Sequence, residues 1–201
     1  ANGLAIPTNY GQSLTFEKNE NDPFLHWESL DENNLVWFSA TFDLKNSNVV
    51  RSSNNEKARF IYNVLVSASE LAAIKDQPCG RITTKLDFNK DWGLGSSSTL
   101  IWSIASIFEI DPLKLHFHTS NGSGYDIVCA GTNNPITYKL GKHKQPIYQN
   151  VDWNPIFKDE IQFIYLNNKQ NSEAEVNRFM DSTIFDKDIF EINQLTDSIV
   201  A

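Results

Sequence analysis

Sulfur, positive charge and long apolar runs are all scarce in this chain. Two cysteines among 201 residues, Cys79 and Cys129, exclude a disulfide framework and fit a reducing cytosol. No run approaches the roughly 18 consecutive apolar residues of a membrane span. The N-terminus Ala1-Asn2-Gly3-Leu4-Ala5-Ile6-Pro7 lacks the charged start and long apolar stretch of a signal peptide. The expectation is a soluble, cytoplasmic chain with no membrane partner. Positive charge is outnumbered, 17 Lys+Arg against 25 Asp+Glu, for a formal net charge of −8. That balance argues against a nucleic-acid partner or an anionic membrane, so any phosphate must be held by a local site. Methionine occurs once, at Met180, and the chain opens on Ala1, which predicts either a start lost by processing or a portion of a longer reading frame.

Apolar material is ample. At 40% hydrophobic, 12% aromatic and 21% charged, the chain can build a core, and disorder as its main state is excluded. Its length suits one large or two small domains.

Periodicity gives mixed elements. Leu35 to Leu44 is β-branched and aromatic and predicts a strand, as does Arg81 to Phe88, with Ile82, Thr84, Leu86 and Phe88 on one face. Between them Ser53 and Glu56 predict a capping box for a helix striped by Ile61, Leu65, Ala68 and Ala72. Thr99 to Phe108 is apolar on nearly every side and predicts a helix at the centre of a domain. Asp111-Pro112 opens a second helix, Asp as N-cap and Pro in the first turn. Further strands are expected over Ile136–Leu140 and Ile161–Leu166, a helix capped by Ser172 and Glu175 running through Phe179 and Met180, and a last helix over Asp186–Val200. The polar stretch holding Pro146, Asn150 and Pro155 predicts a domain boundary, dividing the chain into 1–150 and 151–201. Strands and helices without regular βαβ alternation predict an α+β fold class.

The segment Asp91-Trp92-Gly93-Leu94-Gly95-Ser96-Ser97-Ser98-Thr99 joins a predicted strand to a predicted buried helix. Glycines admit close backbone approach, and free N–H groups of a helix start together with the hydroxyls of Ser96, Ser97 and Ser98 aim donors at one place. An anion, most naturally a nucleotide phosphate, fits there; simple capping of the helix fits the same residues. With no Lys after the glycines it is not a Walker loop.

Trp92-Gly-Leu-Gly-Ser-Ser-Ser98 resembles the second motif of the GHMP kinases, the family of galactokinase, homoserine kinase, mevalonate kinase and phosphomevalonate kinase. The resemblance implies that Gly93, Leu94, Gly95, Ser96, Ser97 and Ser98 wrap the phosphates of ATP, with Ser97 as a magnesium ligand. Gly122-Ser-Gly-Tyr-Asp-Ile-Val-Cys-Ala-Gly131 is similar to the Gly-Ser-Gly-x-Asp stretch of the mevalonate kinase branch, and more closely to a bacterial Gly-Tyr-Asp-Ile-Ala subgroup. Carried over, Asp126 is the base beside the substrate hydroxyl, and Ser123, Gly124 and Tyr125 line the substrate. A turn or cap aspartate is the plain reading of the same residue. Leu4 to Gln12 resembles the subgroup's early strand, and Tyr165 to Ser172 the opening of its second domain.

The fold so implied is a GHMP N-terminal domain, like the second domain of ribosomal protein S5, over 1–150, then the start of a ferredoxin-like domain over 151–201. The activity implied is transfer of the γ-phosphoryl group of Mg-ATP to mevalonate or phosphomevalonate. Diphosphomevalonate decarboxylation and a catalytically silent nucleotide-binding module are the alternatives. Four departures stand out. Asn89 occupies the place of a usual proline; the family's Lys/Arg and Gly-Glu motif would lie before Ala1; and all nine glycines lie at or before Gly141, so the late Gly-rich loop is missing. Leu115, His116, Phe117 and His118 stand where mevalonate kinases carry a magnesium-binding glutamate.

Weaker candidates remain. His116 and His118 alternate, as on one side of a strand, but two imidazoles make a poor zinc site. His26 and His143 are expected at the surface, and Cys129 in the core. Cys79 lies in a Pro-Cys-Gly turn with nothing to activate it. Trp92 could stack on an adenine or pack beneath the loop. Lys139, Lys142 and Lys144 form a small basic patch, more simply a solvated face.

Overall fold

The computed structural model describes residues 1–74, 77–165, 178–179 and 185–201. It is mixed α+β, and its contacts divide it into two compact units, residues 9–120 and residues 1–8 with 121–201.

The unit of residues 9–120 is built on a five-stranded sheet. Its strands are β2 (Gln12–Lys18), β3 (Leu25–Leu30), β4 (Val36–Asp43), β5 (Asn48–Ser52) and β6 (Gly80–Leu86), in the order β2-β6-β3-β4-β5. β3, β4 and β5 form an antiparallel meander; β6 returns between β2 and β3, antiparallel to the first and parallel to the second. A parallel neighbour needs a crossover, and helix α1 (Asn55–Leu71) lies within it. Helices α2 (Ser96–Ile107) and α3 (Pro112–Thr119) pack with α1.

Alternation decides which face is buried. Leu25, Trp27, Ile82, Leu86, Phe38 and Phe42 of the sheet are at most 1% exposed, and Leu65, Ile104 and Leu115 of the unit's helices are 0% exposed. Ser29 and Thr84 also point inward, and their polar atoms are satisfied: Trp27 Nε1 donates to Ser29 Oγ at 3.0 Å, as does Thr84 Oγ1 at 2.9 Å. The opposite face is polar, with Arg81 paired to Glu28 at 3.0 Å. One solvated face suits an antiparallel-rich sheet.

The strands expected at Leu35–Leu44 and Arg81–Phe88 form β4 and β6. Helix α1 is capped one residue later than expected: Asn54 Oδ1 accepts from Lys57 N at 3.0 Å. Ser53 instead ties to β4, its N–H donating to the Ser39 carbonyl and its hydroxyl accepting from Ser39 N. Asp111 caps α3 as expected, accepting from Leu113 N at 2.8 Å. His116 and His118 therefore sit on a helix, not a strand. A two-residue step turns a helix through about 200°, so His116 is buried while His118 is exposed and faces Glu70 at 3.7 Å. Helix α2 is buried on one face rather than all round; Ser106 is exposed.

The second unit holds a three-stranded antiparallel sheet, β1 (Gly3–Ala5), β7 (Ile136–Leu140) and β8 (Pro146–Asn150), with β7 central. Helix α4 (Tyr125–Ala130) packs on β1 and β7. Helix α5 (Asp186–Val200) packs on β1, where Asn193 Oδ1 accepts from Asn2 N and Thr196 Oγ1 donates to the Asn2 carbonyl. Its bounds are those read from the sequence. The polar stretch around Pro146 and Asn150 is strand β8, inside this unit. Residues 161–165 are exposed and pair with no strand among the described residues, in place of the strand expected there; Leu166, Ser172, Glu175 and Met180 lie outside the described residues. No described helix is long and apolar enough to cross a membrane.

Candidate functional site

The Gly93–Ser98 segment belongs to the larger unit. β6 ends at Leu86, and the chain is immediately held: Asp87 N donates to the Gly11 carbonyl at 3.2 Å, and Asp87 Oδ1 accepts from Gly11 N at 2.6 Å. Asn89 then builds a turn, its Oδ1 accepting from Asp91 N at 3.0 Å and its carbonyl from Trp92 N at 3.0 Å. Asn89 thus has a local role in shaping the loop.

Gly93 and Gly95 have φ of +75° and +80°, left-handed values that favour glycine. A Cβ at either would meet nothing within 4 Å. Their need is therefore conformational, and the space beside them is open. Gly95 is the N-cap of α2 and satisfies the helix through its carbonyl, which accepts from Ser98 N at 3.0 Å and Thr99 N at 3.1 Å. The N–H groups and hydroxyls of Ser96 and Ser97 meet no hydrogen-bond partner among the described residues. Ser97 is exposed, Ser96 half-buried, and Ser98 only 4% exposed. The loop thus turns two serines outward and keeps the third inside.

Thr99 fixes the helix start, its Oγ1 donating to Gln12 Oε1 of β2 at 2.8 Å. Trp92 is 44% exposed and packs edge-on against Tyr10 at 5.7 Å, and Tyr10 against Phe88 at 6.1 Å. Trp92 therefore does not pack beneath the loop. Tyr10 is a loop neighbour that sequence reasoning missed; its separation of 82 residues from Trp92 left no signal.

The Gly122–Asp126 turn belongs to the other unit. Gly124, at φ +82°, caps α4 as Gly95 caps α2. The Tyr138 hydroxyl, from β7, donates to the Ser123 carbonyl. Asp126 stands in the first turn of α4, half-buried, its Oδ1 accepting from Ile127 N at 3.1 Å. Three groups record its charge. Burial pushes the Tyr138 phenol up to about 12, with Asp126 and then Tyr148 adding to the effect. Burial and then Asp126 also raise the Tyr125 phenol and the Cys129 thiol. Cys129 is half-buried rather than a core residue.

A protein-held magnesium does not fit these residues. No group of three His, Cys, Asp or Glu converges on a cation among the described residues, and Ser97 offers one neutral hydroxyl. Magnesium takes carboxylates, phosphate oxygens and water, so here it would arrive on a nucleotide. Lys139 and Lys142 are exposed, and Lys144 Nζ reaches Asn121 Oδ1 at 3.3 Å. His143 is exposed; His26 is half-buried between Asp22 at 2.9 Å and Thr41 at 3.3 Å.

Comparison with protein-family models, with curated proteins and with solved structures finds no match to this chain.

Proposed function

We propose that this chain carries the nucleotide-binding loop of a GHMP-type small-molecule kinase, which moves the γ-phosphoryl group of ATP to mevalonate or phosphomevalonate. One observation carries the reading. Gly95 opens α2 in a left-handed conformation, and the N–H groups and hydroxyls of Ser96 and Ser97 beyond it have no partner among the described residues. Donors so placed at the start of a twelve-residue helix suit a phosphate, because the helix dipole adds to their attraction. The sequence resemblance supplies the nucleotide.

In this reading Gly93 to Ser97 hold the phosphates, and magnesium accompanies ATP as its counter-ion. The acceptor oxygen attacks the γ-phosphorus, the bond from that phosphorus to the β–γ bridging oxygen breaks, and the electron pair leaves with ADP. The role of Asp126 comes from the sequence resemblance alone, which makes it the base where the acceptor is a hydroxyl; where the acceptor is a phosphate no base is required and the same residue would position it. The resemblance likewise gives the acceptor to Ser123, Gly124 and Tyr125.

ADP release measured with mevalonate, phosphomevalonate and diphosphomevalonate, beside ATP binding, tests this. The expectation is acceptor-dependent release that Asp126→Asn lowers about 100-fold or more for a hydroxyl acceptor, with ATP binding retained. An inability of the chain to bind ATP would contradict the reading.

A further inference from the structure

We infer that the outer edge of β5 is a docking groove for an acidic, extended segment of a partner protein. β5 ends the five-stranded sheet, so one of its edges has no neighbouring strand among the described residues. A groove of about 520 Å³ lies there, lined by all five strand residues from Asn48 to Ser52 and by Asn55 and Arg59 of α1. Successive strand residues point to opposite faces. A groove touched by all five therefore runs along the edge, where backbone N–H and C=O groups can pair with an added strand. Ser52 Oγ donates to Asn55 Oδ1 at 2.6 Å, closing the end where strand passes into helix.

Charge selects the occupant. The unit of residues 9–120 contains three arginines. Arg81 is paired with Glu28 at 3.0 Å. Arg51 and Arg59 are exposed, have no carboxylate within salt-bridge distance among the described residues, and both line this groove. In a chain of net charge −8, two unpaired guanidiniums at one sheet edge form a local positive site for carboxylates. A second copy suits the edge poorly. Antiparallel self-pairing about Val50 would bring Arg51 of each copy onto one face as diagonal neighbours, a like-charge approach. An extended glutamate-rich segment satisfies both the backbone edge and the arginines.

The test is fluorescence anisotropy of a labelled peptide alternating glutamate and valine, titrated with the whole chain at low and moderate salt. Saturable binding is expected, weakened by salt. It should fall at least tenfold with Arg51→Glu/Arg59→Glu, and at least tenfold when alternate peptide nitrogens are methylated, a change that leaves the protein untouched. Four results would overturn the inference: no saturable binding, equal binding of a lysine–valine peptide, indifference to N-methylation, or a dimer of the chain itself that the arginine variant dissolves.

Discussion

The Tyr138 hydroxyl donates to the Ser123 carbonyl, fixing the Gly-Ser-Gly turn to the central strand of its sheet. One phenol thus holds the backbone that presents Asp126, and it does so only while protonated.

Alkaline pH should therefore weaken this unit. Tyr138 titrates at about 12 in the folded protein against an ordinary phenol value near 10. Between these values the unfolded chain has lost a proton that the folded chain keeps. Stability is full below about pH 10 and falls as pH rises through about 12. Denaturant unfolding across this window should show a decline that Tyr138→Phe reduces; an unchanged slope in the variant would place its cause elsewhere.

Two glycines with positive φ should respond differently to alanine. At Gly95 the Cβ meets nothing, so the cost is the left-handed backbone alone, about 1 kcal/mol. At Gly80 the Cβ would lie 2.2 Å from the Glu17 carbonyl oxygen and 2.7 Å from Asn19 N. Backbone cannot step aside cheaply, so Gly80→Ala should cost about 3 kcal/mol or more. Equal midpoints in urea for the two variants would contradict this.

Helix α1 tests where its cap lies. Asn54→Ala should cost about 1 kcal/mol, because Lys57 N loses its acceptor. Glu56→Ala should change stability by less than about 0.5 kcal/mol, since the Ser53 N–H that a capping box would assign to Glu56 donates to Ser39. A larger loss at Glu56 than at Asn54 would restore the sequence-based cap.

That shift of one residue shows what local pattern carries. Ser53 and Asn54 are both good caps, and only the pull of β4 on Ser53 decides between them. Ile136–Leu140 and Asp186–Val200 were legible because each pattern is self-contained. Strand β3 was not, because Ser29 occupies an inward position and its partner Thr84 lies 55 residues away. β5 and β8 bury little as outer strands, so their sequences carry no alternating signature. Ile161 to Tyr165 misled for the opposite reason, being apolar but exposed. Both glycine turns were legible as motifs, since a left-handed backbone favours glycine. The inward turn of Ser98 and the Tyr10–Trp92 contact depend on tertiary packing.

If Gly93 to Ser97 receive nucleotide phosphate, backbone amide NMR during titration with Mg-ATP reads that contact at the loop itself. Saturable shifts are expected, largest at Gly95, Ser96 and Ser97, with Trp92 responding and Ser98, whose N–H is already bonded to the Gly95 carbonyl, moving less. Saturation with no shift in this segment, or with the largest shifts in another part of the chain, would contradict that contact.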